Sequence, residues 1–194
     1  MNGVTWRLGH GSALGLANTI HGPAGHRRHR AGDDEPSHDH LETPEAARDF
    51  LVHHEVPGPL ELPTAAQLAR LRALRARIRA LTAADPPDPD QWRLEIRAAF
   101  ADVRFRLDGE ALRSVAPGWD GVIDDLFPAA IDLADRSDRL RTCGNPLCRF
   151  LFVDRSRRGS RIWCEMAVCG NRMKVGRHRR SLALGSGSPV QPPR

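Results

Sequence analysis

The chain of 194 residues contains no tyrosine and few aromatic residues (5%). None of its apolar runs approaches the length of about 20 residues that a membrane-spanning helix needs. Its first residues lack the basic and then apolar pattern of a secretory signal. An apolar fraction of 40% is still enough for a core. We therefore expect a soluble, cytoplasmic protein with no membrane partner, built as one medium domain or as one domain with a small appended module.

The sequence also lacks the common catalytic motifs. It has no nucleophile elbow, no phosphate-binding glycine loop and no His-Glu-x-x-His metal motif. The one adjacent acidic pair in a predicted helix, Asp124 and Asp125, is explained by a solvated helix face. These absences favour a protein that is not an enzyme.

Lysine is almost absent: Lys174 is the only one, and arginine supplies 28 of the 29 basic residues. A single arginine is therefore weak evidence of function, and only clustering is informative. Residues 141–194 hold 12 Arg and Lys against two acidic residues, a net charge of +10, whereas residues 1–140 carry −5. This asymmetry predicts an anionic partner for the C-terminal part.

Cysteine is scarce and confined to one window. The pairs Cys143/Cys148 and Cys164/Cys169 each enclose four residues, and fifteen residues separate the pairs. Two matched spacings predict one structural Zn²⁺ held by four thiolates, which would leave no open position for catalysis. The alternatives are two disulfides, which would need an oxidising compartment, an iron–sulfur cluster, or four ordinary buried thiols.

The residues around the cysteines form distinctive motifs over about 143–180. They include Cys148-Arg-Phe-Leu-Phe-Val-Asp-Arg-Ser156, Arg161-Ile-Trp-Cys164 and Cys169-Gly-Asn-Arg172. These motifs resemble the CGNR zinc-finger family, which is named after the last of them. The resemblance implies an ABATE domain before the finger and a stress-related transcription regulator. Upstream, Asn18-Thr19 is similar to the Asn-Thr pair near the start of that domain.

Hydrophobic periodicity predicts a mainly α fold with a small β-hairpin (α+β), in which an N-terminal helical domain precedes a treble-clef-like zinc finger. We expect an ABATE-like domain over 1–138, the CGNR finger over 139–182 and a disordered tail over 183–194. Within the first domain, residues 21–42 are predicted to be a loop. Five histidines there (His21, His26, His29, His38 and His40) raise a metal-binding hypothesis, but the aperiodic polar composition favours a mobile, solvated loop.

The individual elements follow from periodicity and from start and stop signals. The first residues should form a strand over Val4–Leu8 and a helix or turn up to Ile20. Four helices are predicted: about Thr43–His54, one that begins at the Thr64–Gln67 capping box, about Asp90–Asp102 and about Val122–Ser137. A hairpin should turn at Asp108-Gly109. The helix after Thr64 should bury its leucine stripe and expose a solvated arginine face. The Asp90 helix should turn Leu94, Ala98 and Ala101 inward. Pro128 should kink or divide the last helix.

The finger is expected to depend on its metal. Its core would consist mostly of Phe150, Phe152, Ile162, Trp163 and Met166, and zinc binding in such modules contributes on the order of 10 kcal/mol. Cys148→Ser, or a strong chelator, should therefore melt residues 143–180 and leave the N-terminal helices folded.

The clustered cations predict binding to double-stranded DNA by a transcription regulator associated with the nucleoid. The expected contacts are Arg157, Arg158, Arg161, Arg172, Lys174, Arg177, Arg179 and Arg180. Asn171 and Arg172 could instead hold the knuckle around the metal. The N-terminal domain would then sense a small-molecule or protein signal. The alternative function is a zinc-stabilised protein-interaction or RNA-binding module, with RNA disfavoured by the few aromatic side chains available for stacking.

Overall fold

The structure, a computed structural model, describes residues 10–22, 38–53, 61–109 and 111–185. This part of the chain is mainly helical, with three two-stranded antiparallel sheets, β1–β2, β3–β4 and β5–β6. The elements are α1 His10–Ala17, β1 Ile20–His21, β2 His38–Asp39, α2 Pro44–His53, α3 Ala65–Ala80, α4 Pro89–Ala99, β3 Phe105–Asp108, β4 Ala111–Ser114, α5 Gly118–Ala134, β5 Leu140–Thr142, β6 Leu151–Val153 and α6 Asn171–Gly185. The predicted fold class is confirmed.

The core forms where α1, α3 and α5 pack against one another. The leucine stripe of α3 (Leu68, Leu71, Leu74 and Ile78) is buried, as its spacing predicts. In α1, Ala13 and Ala17 are fully buried, and such small side chains let the three helices approach closely. None of the helices in the described part of the chain is both long enough and apolar enough to span a bilayer.

Helix α4 differs from its prediction in the face that it buries. Leu94 of α4 is 58% exposed, and Trp92 and Ile96 are buried instead. Trp92 decides which face of α4 is buried, because burying its large ring stabilises the fold more than burying Leu94 would. The indole N–H of Trp92 also donates to the carbonyl of Arg77 at 2.9 Å. Helix α5 runs through Pro128 as one helix, so it is not divided at the proline, and residues on both sides of Pro128 are buried.

The arginine face of α3 is not simply solvated. Arg70 donates to Asp120 and Asp124 of α5, and Arg75, only 8% exposed, binds the carboxylate of Asp39 with both terminal nitrogens. Arg79 donates to the carbonyls of Ala17 and Arg149. These guanidinium groups therefore connect elements of the fold instead of offering a basic surface.

The predicted loop over 21–42 contains paired strands at its two ends. Ile20 pairs with Asp39 and His21 with His38, and His21 is 3% exposed, so this part of the segment is not a solvated loop. The pairing spans a long stretch of sequence, and local composition does not reveal it. The predicted strand Val4–Leu8 and the histidines at 26 and 29 lie outside the described residues. The predicted tail begins inside α6, which runs to Gly185, and its remainder also lies outside them.

The predicted hairpin is present as β3–β4, with its turn shifted by one residue. Asp108 pairs with Ala111, so Asp108 still belongs to β3 and the turn begins at Gly109. Gly109 has a φ of +59°, which glycine adopts at little cost.

Candidate metal centre and cationic surface

The first cysteine knuckle, which is the tight turn from Cys143 to Cys148, follows directly after β5. The N–H of Cys143 donates to the carbonyl of Phe150 on the neighbouring strand segment at 2.8 Å. The buried Asn145 shapes the turn: its side-chain oxygen accepts from the N–H of Leu147, and its carbonyl accepts from the N–H of Cys148 at 2.9 Å. The knuckle is therefore closed by backbone hydrogen bonds that aim both sulfurs at one point.

Glycine is required beside this knuckle. A Cβ on Gly144 would lie 2.6 Å from the Ile162 side chain, and the Gly144 N–H donates to the Ile162 carbonyl at 2.9 Å. Arg149, with a φ of +63°, turns the chain out of the knuckle into β6. The tight turn thus brings the Ile162 segment close to the first cysteine pair.

The second pair lies at the start of the last helix. A π-helical turn, Met166–Gly170, carries Cys169 and leads into α6. Cys169 and Gly170 both donate their N–H groups to the carbonyl of Glu165, which fixes the turn. A Cβ on Gly170 would lie 2.3 Å from the sulfur of Met166, so a larger residue here would have to displace that side chain. The last ligand thus lies on a turn that leads into a helix, and the hairpin β5–β6 encloses the first knuckle.

The four sulfurs converge on one point. Their Sγ atoms all lie within 4.8 Å of one another, with 3.7 Å between Cys148 and Cys164 and 3.7 Å between Cys164 and Cys169. Thiolates bound at 2.3 Å to a tetrahedral Zn²⁺ would lie about 3.8 Å apart. The thiols are free, which excludes the alternative of two disulfides. The residues fit a single structural zinc ion.

Crowding sets the protonation of the thiols in the absence of metal. Hydrogen bonds from Cys148, Cys164 and Cys169 hold the pKa of Cys143 far below its usual value. Hydrogen bonds with Cys143, Cys148 and Cys169 raise the pKa of Cys164 far above its usual value. One thiolate disfavours the next, so zinc supplies the positive charge that allows all four to ionise, and its binding releases protons.

The loop after β6 is organised by Asp154. Its buried carboxylate accepts the N–H groups of Ser156 and Arg161, each at 2.8 Å. The hydrogen bond from the Ser156 side chain and those from the two backbone groups lower the pKa of Asp154 to about 2. The carboxylate is therefore charged at neutral pH and holds the loop closed over residues 155–161.

Arg161 lies within this assembly. Its guanidinium donates to the carbonyls of Trp163 (2.8 Å) and Cys164 and lies 5.1 Å from the ring centre of Phe152. Of the predicted finger core, Phe152 is buried, but Ile162 and Met166 are more than half exposed, which corrects the prediction for those two. The exposed Arg161 thus connects the Trp163–Cys164 segment to Phe152.

The finger is joined to the N-terminal helices by specific hydrogen bonds. The Asn18 amide donates to the carbonyl of Leu151 (3.0 Å) and accepts its N–H (2.8 Å). The N–H of Gly22 donates to the carbonyl of Cys148 at 3.0 Å, and a Cβ on Gly22 would lie 2.3 Å from the Leu147 oxygen. The sequence motif pointed to Asn18, but no sequence signal identified Gly22 or Arg79 as joining residues.

The predicted DNA contacts fall into two exposed groups and three other positions. Arg157 and Arg158 lie in the loop after β6, and Lys174, Arg177 and Arg179 lie on α6; all five are exposed, and none makes an ion pair within the described residues. Arg172 is half-buried, and Arg161 is exposed, but its guanidinium donates to carbonyls of the finger. Arg180 lies on α6, and its side chain is outside the described set. The Asn171 side chain donates to the Ala167 carbonyl, a contact within the finger.

Comparison with known families supports this division of the chain. Residues 139–181 match the CGNR zinc finger, and residues 11–137 match the ABATE family, described as "Putative stress-induced transcription regulator". The two matches follow one another and confirm the resemblance inferred from the motifs. No curated protein matches the chain.

Proposed function

The chain belongs to the ABATE family and ends in a CGNR zinc finger, and we propose on that basis that it regulates transcription by binding double-stranded DNA through the finger. Binding, not catalysis, is the activity we assign. The zinc ion closes its coordination with four thiolates, so it has no position for water or a substrate.

The observation that carries the proposal is the contrast between the arginines of α3 and those of the finger. On α3, Arg70, Arg75 and Arg79 are engaged by acidic groups or carbonyls. On the finger, Arg177 and Arg179 make no ion pair within the described residues, and residues 141–194 contain only two acidic side chains. Exposed cations without local counter-charges favour an external polyanion.

The shape of α6 supports DNA as that polyanion. The helix has 15 residues, about 22 Å, and the side chains of residues 177–179 are all exposed. An α-helix with such exposed side chains can enter the major groove, which is about 12 Å wide and in which arginine binds guanine with two hydrogen bonds.

We further propose that the N-terminal domain receives a signal and passes it to the finger. The hydrogen bonds of Asn18 and Gly22 support this, because they attach β6 and the first knuckle to the segment that follows α1. A ligand or partner that moves this segment would also move the cysteine knuckle.

The test is a binding titration with a short DNA duplex of mixed sequence at several salt concentrations. The wild-type protein should lose affinity steeply as salt rises, because counterions are released from the phosphates. Replacing Arg177 and Arg179 together by Gln should weaken binding and lower the slope of log K against log salt by about 0.9 for each phosphate that is no longer neutralised.

The matched control replaces Arg97 and Arg106 by Gln. These residues are also exposed arginines without an ion pair among the described residues, and the change in net charge is the same. The control should bind like the wild type. Affinity that is independent of salt, or equal weakening in both double variants, would overturn the proposal. Equal binding of single-stranded RNA would favour the RNA-binding alternative.

A further inference from the structure

Three histidines lie together where the first and second strands pair. His21 is directly opposite His38 in the register of β1 and β2. His40 lies two residues beyond His38, and alternate residues of an extended segment point to the same face. Asp39, between them, points to the other face, where it binds Arg75. The pleat therefore separates an ion pair on one side from an imidazole cluster on the other.

The spacing of the rings matches a shared cation. The Nε2 atoms of His21 and His40 are 3.2 Å apart. Two imidazole nitrogens bound to one tetrahedral Zn²⁺ at about 2.0–2.1 Å would be about 3.4 Å apart. The ring centre of His38 lies 5.6 Å from that of His21 and 6.4 Å from that of His40, so the half-exposed side chain of His38 would have to turn for a third nitrogen to join the other two.

The tautomer of His21 suits a ligand. Its Nδ1 lies 2.9 Å from the carbonyl oxygen of Gly22, which can only accept a hydrogen bond, so Nδ1 carries the proton and Nε2 presents a lone pair. A metal-bound imidazole in proteins is typically oriented in this way by a carbonyl on its second nitrogen. Phe150, edge-on to His21, and Phe50, beside His40, form apolar walls around the cluster.

We propose that His21, His38 and His40 form a second metal site, which binds a divalent transition cation such as Zn²⁺. Three imidazoles leave the fourth position to water, so this site exchanges its ion, in contrast to the closed four-cysteine centre. It adjoins that centre, because Gly22, the neighbour of His21, donates its N–H to the carbonyl of Cys148. The inference concerns metal binding alone and holds whether or not the finger binds DNA.

The experiment starts from full-length protein carrying one equivalent of zinc and titrates further Zn²⁺ into it by calorimetry. The wild type should take up a second equivalent. His40→Gln and His38→Gln should each weaken the affinity for the second zinc ion by at least about tenfold, because losing even a residue that only orients a ligand has an effect of that size. His178→Gln, which removes an exposed histidine from α6, should not change it.

Nitrogen NMR of the histidine rings in the wild type gives a second readout that does not depend on the folding of any variant. The Nε2 signals of His21 and His40 should shift on addition of the second equivalent. The proposal would be overturned if the wild type took up no zinc beyond one equivalent, or if these signals did not shift. It would also be overturned if the uptake survived His40→Gln but disappeared when His26 and His29 were replaced together.

Discussion

At the scale of single residues, one amide side chain joins the two parts of the molecule. Asn18 makes two hydrogen bonds to the backbone of Leu151, a residue that is 2% exposed. Water cannot replace either bond at such a position, so the side chain fixes β6 against the end of α1. Thr19, its neighbour, donates to the carbonyl of Leu16 and accepts from Arg75. The Asn-Thr motif thus holds the fold together.

Replacing Asn18 by Ala should lower the free energy of unfolding by about 2–4 kcal/mol, because it leaves a buried N–H and a buried carbonyl without partners. Urea denaturation measures the loss. Thr82→Ala is the matched control: it removes the hydroxyl pair with Thr142 at 3.0 Å, which also links the two parts but is exposed. The control should cost less than about 1 kcal/mol, and equal destabilisation in the two variants would contradict this role of Asn18.

At the scale of elements, α3 begins with a complete capping box. The Thr64 hydroxyl accepts the N–H of Gln67, and the Gln67 side chain accepts the N–H of Thr64. Gln67 also donates to Asp120 of α5 at 2.9 Å, so the cap helps to hold two core helices together.

Thr64→Ala should therefore destabilise the protein by about 1 kcal/mol, measured as a lower melting temperature. Thr64→Ser, which keeps the hydroxyl, should lie within a few tenths of a kcal/mol of the wild type. The same decrease in both variants would mean that the threonine methyl group, and not the cap, supports the helix.

Elements defined by local signals could be predicted from the sequence. The capping box, the leucine stripe of α3 and the two cysteine spacings each encode their structure within a few residues. The buried face of α4 could not be predicted, because it depends on the contact between Trp92 and the Arg77 carbonyl. The pairing of His21 with His38 could not be predicted either, because it joins two short segments that are distant in sequence. The cationic surface could be predicted from charge, but only the structure shows that the exposed Arg161 is bound to the carbonyls of Trp163 and Cys164.

At the scale of the whole molecule, the finger shares its core with the helices. Leu140 of β5 and Leu151 of β6 are buried in the same cluster as the residues of α1, α3 and α5. The cysteines form a smaller cluster of their own with Phe152. Because the hairpin belongs to both clusters, the removal of zinc should reach further than the finger, unlike the independent melting expected from the sequence.

Hydrogen exchange with and without a zinc chelator should therefore show a graded response. Protection should fall throughout residues 143–170, where zinc binding supplies on the order of 10 kcal/mol, and also outside the finger at Gly22, whose N–H bonds to Cys148 across the junction. It should change least in β3–β4 and α4, which have no hydrogen bond to the finger among the described residues. Restoring zinc should restore the original pattern. Faster exchange confined to 143–180 would instead show that the finger unfolds alone, and the proposed transmission between the N-terminal domain and the knuckle would then lose its physical basis.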